Sequence, residues 1–219
     1  MKPYISGLNS RLAEPAKGYR AGPENAVILE ILWGKNYHSV LDLGAGNGSL
    51  GILAGSTQTA DTPVTLCERQ PELAQLCEKN AALIPNPVSV IQADLRDWAP
   101  GGRFDLIVAN PPWYPRGFGQ SSSNPVTHRC THALHGSVYD FCGRAAACLA
   151  PGKSSAFWLL FPSDRLAEAV SAIAQAGLHL NAIWLCHARH TGAPFRVWIR
   201  ASHVLSHCEL RECSVLTAR

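Results

Sequence analysis

Asn110-Pro111-Pro112-Trp113 is the stretch of this sequence whose residue types and spacing point to a definite chemistry. An amino group conjugated to a base ring or a carbonyl is a poor nucleophile, because its lone pair is delocalised. Two acceptors about an amine's width apart counter that. Asn110 Oδ1 and the Pro111 carbonyl would each take one N–H and turn the lone pair out of the conjugated plane, toward an electrophile. Trp113 offers a flat face on which a planar substrate can stack. The same tetrapeptide also reads as no more than a turn that ends a strand, so its surroundings decide.

Phe104 to Ala109 is an apolar run between Gly101-Gly102 and Pro111-Pro112, the pattern of a strand buried on both faces. Proline cannot donate to a sheet ladder and its ring fixes φ, so the strand stops where the prolines begin. The carboxyl ends of strands are where open α/β sheets bind ligands. Upstream, Ser39 to Leu43 is predicted as a strand, followed by Gly44-Ala45-Gly46-Asn47-Gly48 and a helix from Ser49 to Ala54. A glycine-rich turn lets a ligand approach the backbone, and a helix start presents free N–H groups. Val64 to Glu68 is a second strand, ending in a carboxylate where a ribose-binding acid should fall; Glu68 either accepts from two ribose hydroxyls or is an exposed strand-end acid. Pro71 to Leu83 is an amphipathic helix. Val88 to Ala93 is a third strand, and Asp94 after it either accepts an adenine amino hydrogen or caps the turn Leu95 to Trp98.

The rest of the chain must hold these tips in place. Residues 1–38 read as an irregular cap and a short helix beginning near Pro23, residues 39–205 as one domain, and residues 206–219 as a tail with little pattern. The stretch 114–135 is a long loop of the length that usually carries function, here a substrate lid. A helix follows from Gly136 to Leu149, then a strand from Ser155 to Phe161. Ser163 is predicted to cap a helix ending at Gly177. The last two strands, Leu178 to Cys186 and Phe195 to Ala201, are joined by too short a loop for a parallel crossover, so the last runs antiparallel. The fold class is therefore α/β: a Rossmann-like, doubly wound sheet, mostly parallel, with one antiparallel strand near an edge.

Composition agrees. A chain of 219 residues, 47% hydrophobic and 16% charged, fits one well-buried domain and argues against disorder. No run reaches membrane-spanning length and the start lacks a secretory segment, which predicts a cytoplasmic protein without a membrane partner. Of eight cysteines, Cys67, Cys77, Cys142, Cys148 and Cys186 lie in apolar segments and read as buried free thiols. Neither His128, Cys130, His132 and His135 nor His203, His207, Cys208 and Cys213 has paired zinc spacing, so no metal is expected. The net charge of +3 is small, yet 113–135 and 186–208 hold Arg116, Arg129, Arg189, Arg196 and Arg200 without an acidic residue. That makes a positive rim suited to RNA. The oligomeric state is not legible.

Taken together, these residues resemble the class I S-adenosylmethionine-dependent methyltransferases, whose sheet has seven strands. Leu41-Asp42-Leu43-Gly44-Ala45-Gly46-Asn47-Gly48 is similar to that family's first motif, Glu68 to its ribose acid, Asp94 to its adenine-pocket acid, and Asn110-Pro111-Pro112-Trp113 to the motif of its amino-group members. Within the family the sequence is most similar to bacterial tRNA(Val) adenine-N6 methyltransferases, through Gly18-Tyr19-Arg20, the loop to Arg129-Cys130-Thr131, and Pro194-Phe195-Arg196-Val197. It departs from them at Pro23-Glu24-Asn25, at Cys130 and in the tryptophan of the motif. The resemblance implies S-adenosyl-L-methionine as cofactor, held by Asp42, Gly44, Ala45, Gly46, Gly48, Glu68, Asp94, Leu95 and Asn110. Asn110, Pro111, Pro112 and Trp113 would do the chemistry. Tyr19, Arg20, Tyr114, Arg116, Phe118, Arg129 and Arg196 would meet a tRNA or other structured RNA, whose adenine must leave its stack to be reached. A protein glutamine methyltransferase and a non-catalytic S-adenosylmethionine or RNA-binding module are the alternatives.

Overall fold

Short aliphatic runs separated by glycine, proline and polar turns become strands, and the longer amphipathic stretches between them become helices. A computed structural model of the chain describes residues 11–15, 22–113, 136–188 and 192–215. A 3-10 turn at Pro23–Ala26 leads into α1 (Val27–Ile31), then β1 (Val40–Leu43), α2 (Ser49–Ser56), β2 (Val64–Glu68), α3 (Pro71–Ala81), β3 (Val88–Gln92) and β4 (Leu106–Ala109). After these come α4 (Val138–Cys148), β5 (Ala156–Pro162), a 3-10 turn at Ser163–Arg165, α5 (Leu166–Gln175), β6 (His179–His187), β7 (Arg196–Ser202) and β8 (Glu209–Ser214).

The strands form one mixed sheet in the order β3-β2-β1-β4-β5-β7-β6-β8. β7 runs antiparallel to both its neighbours, β5 and β6, and every other pairing is parallel. The antiparallel last strand of the sequence reading is thus β7. The count of seven is corrected to eight, because Glu209–Ser214 adds β8 alongside β6. The reason it was illegible is physical. At the sheet's edge only Cys213 of β8 is buried, so the strand carries no alternation of apolar and polar residues. A second correction concerns Ser163, which does not cap the helix that follows; its hydroxyl donates to the Pro194 carbonyl, and α5 begins three residues later.

Alternation along the strands sends side chains to two layers. Val40, Leu66, Val108, Trp158 and Trp198 face one layer with α1, α2 and α3, while Leu41, Cys67, Ala109, Phe157 and Ile199 face the other with α4 and α5. The five cysteines expected to be buried and free are so. Among the described residues no helix is long and apolar enough to cross a membrane.

α2 is buried almost all round, and it lies close on the sheet because it carries glycine where it crosses β1 and β2. A Cβ at Gly51 would stand 2.4 Å from Leu66 Cδ2 and 2.8 Å from Asp42 Cβ; one at Gly55 would stand 2.6 Å from Val64 Cγ2. In contrast, a Cβ at Gly143, on the exposed side of α4, would meet nothing within 4 Å. Alanine gains about 1 kcal/mol over glycine in a helix, against about 1–3 kcal/mol lost by overpacking a core. Gly143→Ala is therefore expected to raise the midpoint of chemical unfolding and Gly51→Ala to lower it, both measured by circular dichroism.

Candidate active site

The loop after β1 is shaped by three glycines with positive φ, Gly44 at 68°, Gly46 at 61° and Gly48 at 82°. It is tied down on all sides. Gly44 and Ala45 donate their N–H groups to the Cys67 carbonyl at 2.9 and 3.0 Å, and Asn80 Nδ2 donates to the carbonyls of Asn47 and Ala13. The Phe141 ring presses on Gly44, where a Cβ would come within 2.8 Å of it. The N–H groups at the start of α2 are partly used within the chain, contrary to the expectation that they stand free. Ser49 N donates to Asn47 Oδ1 at 3.2 Å, and Gly51 N to Asp42 Oδ2 at 2.7 Å.

Three carboxylates at the strand tips open on one cavity with this loop. Asp42 is buried, and its Oδ1 has no hydrogen-bond partner among the described residues. Desolvation, reinforced by the charge of Glu68 and opposed by the Gly51 N–H, pushes its pKa up to about 7. Glu68 is also raised by desolvation, against the N–H groups of Gln70 at 2.7 Å and Gly46 at 2.8 Å that its carboxylate accepts. Asp94 goes the other way. It accepts from Arg96 Nε at 2.9 Å and lies 3.3 Å from Arg69 Nε, and the Arg96 hydrogen bond holds its pKa down at about 2. Asp94 also caps the turn after β3, accepting from Arg96 N at 3.0 Å while its carbonyl accepts from Trp98 N. Both roles weighed for it in the sequence are thus compatible, since it lines the cavity as well.

Asn110, Pro111, Pro112 and Trp113 also line the cavity. Trp113 Nε1 donates to Asn110 Oδ1 at 2.9 Å, and Asn110 Nδ2 donates to Asn25 Oδ1 at 3.4 Å. Asn25, buried in the 3-10 turn before α1, donates in turn to Ser49 Oγ at 3.0 Å. Arg196 stacks on Trp113 with its guanidinium carbon 3.8 Å from the ring centre. β7 puts it there: an antiparallel strand begins at the end where its parallel neighbours finish, and Arg196 pairs with Pro162 at the end of β5.

A family profile described as methyltransferase small domain matches residues 23–134, a span that contains the glycine loop, the three acids and the Asn-Pro-Pro-Trp turn. The chain belongs to the methyltransferase small domain family. It is an S-adenosylmethionine-dependent methyltransferase. It is 30% identical to a tRNA1(Val) (adenine(37)-N6)-methyltransferase of Shewanella loihica, over 80% of this chain and 72% of that one. To the enzyme of the same description from Glaesserella parasuis it is 26% identical, over 79% and 72%. Among solved structures, a methyltransferase from Pyrococcus furiosus superposes with a TM-score of 0.62 at 15% identity, covering 89% of each chain. A ribosomal-protein methylase from Lactobacillus delbrueckii gives 0.55 at 19%, covering 81% and 76%. At such identities these two likenesses speak for the fold alone.

In this methyltransferase Asp42, Gly44, Ala45, Gly46, Glu68, Asp94, Leu95 and Asn110 all line the cavity. Gly48 does not; it turns the chain into α2, packed against Leu66. Arg196, expected to meet RNA, lies on the Trp113 ring. Tyr19, Arg20, Tyr114, Arg116, Phe118, Arg129 and Arg189 lie outside the described residues. Sequence reading singled out Glu24 and Asn25 only as a departure from the resembled family and gave them no role; their burial beside the site is seen only in the structure. Among the described residues no three His, Cys, Asp or Glu side chains are grouped to hold a metal ion.

A carboxyl whose pKa is raised by folding disfavours the fold in its ionised form, so its penalty is present above the folded pKa and is relieved as pH falls toward the unfolded value. From about pH 4 to about pH 7 the unfolding midpoint of Asp42→Asn is expected to rise relative to the parent, and above about pH 7 the difference levels off, because the cost of burying the ionised carboxyl is then fully present in the parent alone. Thermal unfolding of both proteins across that range checks it.

Proposed function

We propose that this methyltransferase acts on an exocyclic amino group of tRNA, N6 of an adenine. The observation that carries the reading is that Asn110 and the Pro111 carbonyl, a pair of acceptors suited to one amine, share a cavity with three strand-end carboxylates. The relatives named for tRNA adenine methylation, matched over most of this chain, support it. When bound, S-adenosylmethionine supplies a methyl group made electrophilic by a positively charged sulfur.

The residues present fit that donor. Asp42 offers a buried oxygen without a partner, suited to an ammonium N–H; Glu68 offers carboxylate lone pairs to ribose hydroxyls; Asp94, held ionised, offers an acceptor to an adenine amino group. Asn110 and the Pro111 carbonyl accept the two hydrogens of the substrate amine, leaving its lone pair aimed across the cavity. Trp113, backed by Arg196 on one face, stacks the base. A strong base would not be needed, because transfer to the neutral amine would leave the positive charge on nitrogen, whose N–H then becomes acidic enough to release its proton to solvent, and positioning supplies most of the acceleration. Cys67 takes no part as a nucleophile: burial pushes its thiol up to about 12, so it stays protonated.

Asn110→Ala is expected to lower methyl transfer to bulk tRNA by about 100-fold or more while S-adenosylmethionine affinity stays within about threefold. The assay is radiolabelled transfer to total tRNA, total protein and DNA side by side, with calorimetry for the cofactor. Transfer to protein or DNA instead of tRNA would overturn the substrate; equal loss of binding and activity would overturn the role of Asn110.

A further inference from the structure

The two ends of a carboxamide are nearly alike in size and shape, so packing alone does not choose which end of Asn110 faces the substrate. Hydrogen bonds do. An indole nitrogen is a donor only, and Trp113 Nε1 sits 2.9 Å from Asn110 Oδ1, which fixes the oxygen end. The nitrogen end is held from the other side by Asn25 Oδ1, and Asn25 keeps that oxygen presented by donating its own Nδ2 to Ser49 Oγ. Were the carboxamide reversed, an N–H would face the N–H of the incoming amine and its lone pair would not be steered. Phenylalanine or tyrosine at 113 could stack a base, but neither has a donor at that point of the ring edge.

The indole is fixed through its face. Arg196 covers it at 3.8 Å, and the Glu24 carboxylate lies 3.9 Å from Arg196 Nε. Glu24 is 5% exposed, and its carbonyl accepts the Trp198 indole N–H at 3.1 Å, so the carboxylate projects from an anchored backbone. It folds back over Gly22, where a Cβ would come within 2.1 Å of Glu24 Oε2.

We infer that Glu24 and Asn25 are positioning residues for the transfer, Glu24 acting through Arg196 and Trp113, and Asn25 directly, to keep the Asn110 oxygen toward the acceptor amine. The inference rests on the proposed role of Asn110, and two measurements separate the two. The first needs no acceptor: in nitrogen-15 spectra of the full chain, the indole resonance missing from Trp113→Phe is that of Trp113. In Glu24→Gln, a nearly isosteric change, that resonance is expected to shift and exchange faster with solvent, while those of Trp33, Trp98, Trp158 and Trp184 stay in place. An unmoved Trp113 resonance overturns the clamp.

The second is kinetic. Glu24→Gln and Asn25→Ala are each expected to lower kcat about tenfold with KM for S-adenosylmethionine within about twofold. Because Glu24 acts through Trp113, the double variant Glu24→Gln, Trp113→Phe should be no slower than Trp113→Phe alone. Losses that multiply would show Glu24 to be merely structural. A parent that methylates protein but not tRNA sinks the tRNA reading only, and the same variants are then compared on the protein acceptor. A parent inactive on every acceptor sinks the role of Asn110 and the positioning inference with it.

Discussion

Two prolines at the end of β4 set the shape of everything above the sheet. β4 ends at Ala109, opposite Leu159 of β5, but β5 runs on for three residues and keeps its pairing with β7 on the other edge, Leu160 with Trp198, Phe161 with Val197 and Pro162 with Arg196. Neither Pro111 nor Pro112 can donate to a ladder, so the sheet has a step at this point: one strand leaves while its neighbour continues. The step is the wall of the cavity. It holds Asn110 at the level of the other strand tips and leaves Arg196, on the continuing side, level with Trp113.

The electrostatics of the cavity follow from how each acid is partnered. Asp94 has two arginines and is held ionised, whereas Asp42 and Glu68 accept hydrogen bonds from backbone N–H groups and are raised by burial, Glu68 in spite of the nearby charge of Arg69. Two buried acids whose ionised forms are raised in energy by desolvation oppose folding, Asp42 with no cation acting on it among the described residues and Glu68 with only the more distant charge of Arg69. Their retention is intelligible if a positively charged ligand with N–H and O–H donors completes the set. The same unsatisfied oxygen that makes Asp42 unfavourable for folding would then become a source of affinity, because the desolvation has already been met by folding.

Much of this was legible in the sequence because glycine, proline and hydrophobic alternation act locally. Val64 to Glu68 came out with its observed bounds, and the strand before Asn110 was located by the prolines that end it. What escaped was set by contacts distant in the chain. β8 is a strand only because β6 offers it an edge, and Ser163 leaves its expected capping role because the Pro194 carbonyl, 31 residues away, takes its hydroxyl. Glu24 and Asn25 belong to the same class. Their partners are Arg196, Trp198, Ser49 and Asn110, none within twenty residues of them, so no local pattern could reveal that a polar pair at the start of a helix is buried against the site.

That burial also bears on why tryptophan ends the motif here. A phenyl ring would present a base with a comparable stacking surface, so stacking alone does not select an indole. The indole differs in carrying a donor on its edge, and in this chain the edge meets Asn110 while one face meets a guanidinium. A cation against a ring face is favoured most strongly over tryptophan, by about 0.5–1 kcal/mol at exposed sites and more where water is excluded. Arg196 has only 20% of its side chain exposed, which places it toward the stronger end. Glu24, Asn25 and Trp113 are therefore linked by contact: the indole supplies the donor, the arginine covers the indole, and the buried turn before α1 meets both the arginine and the far end of the amide.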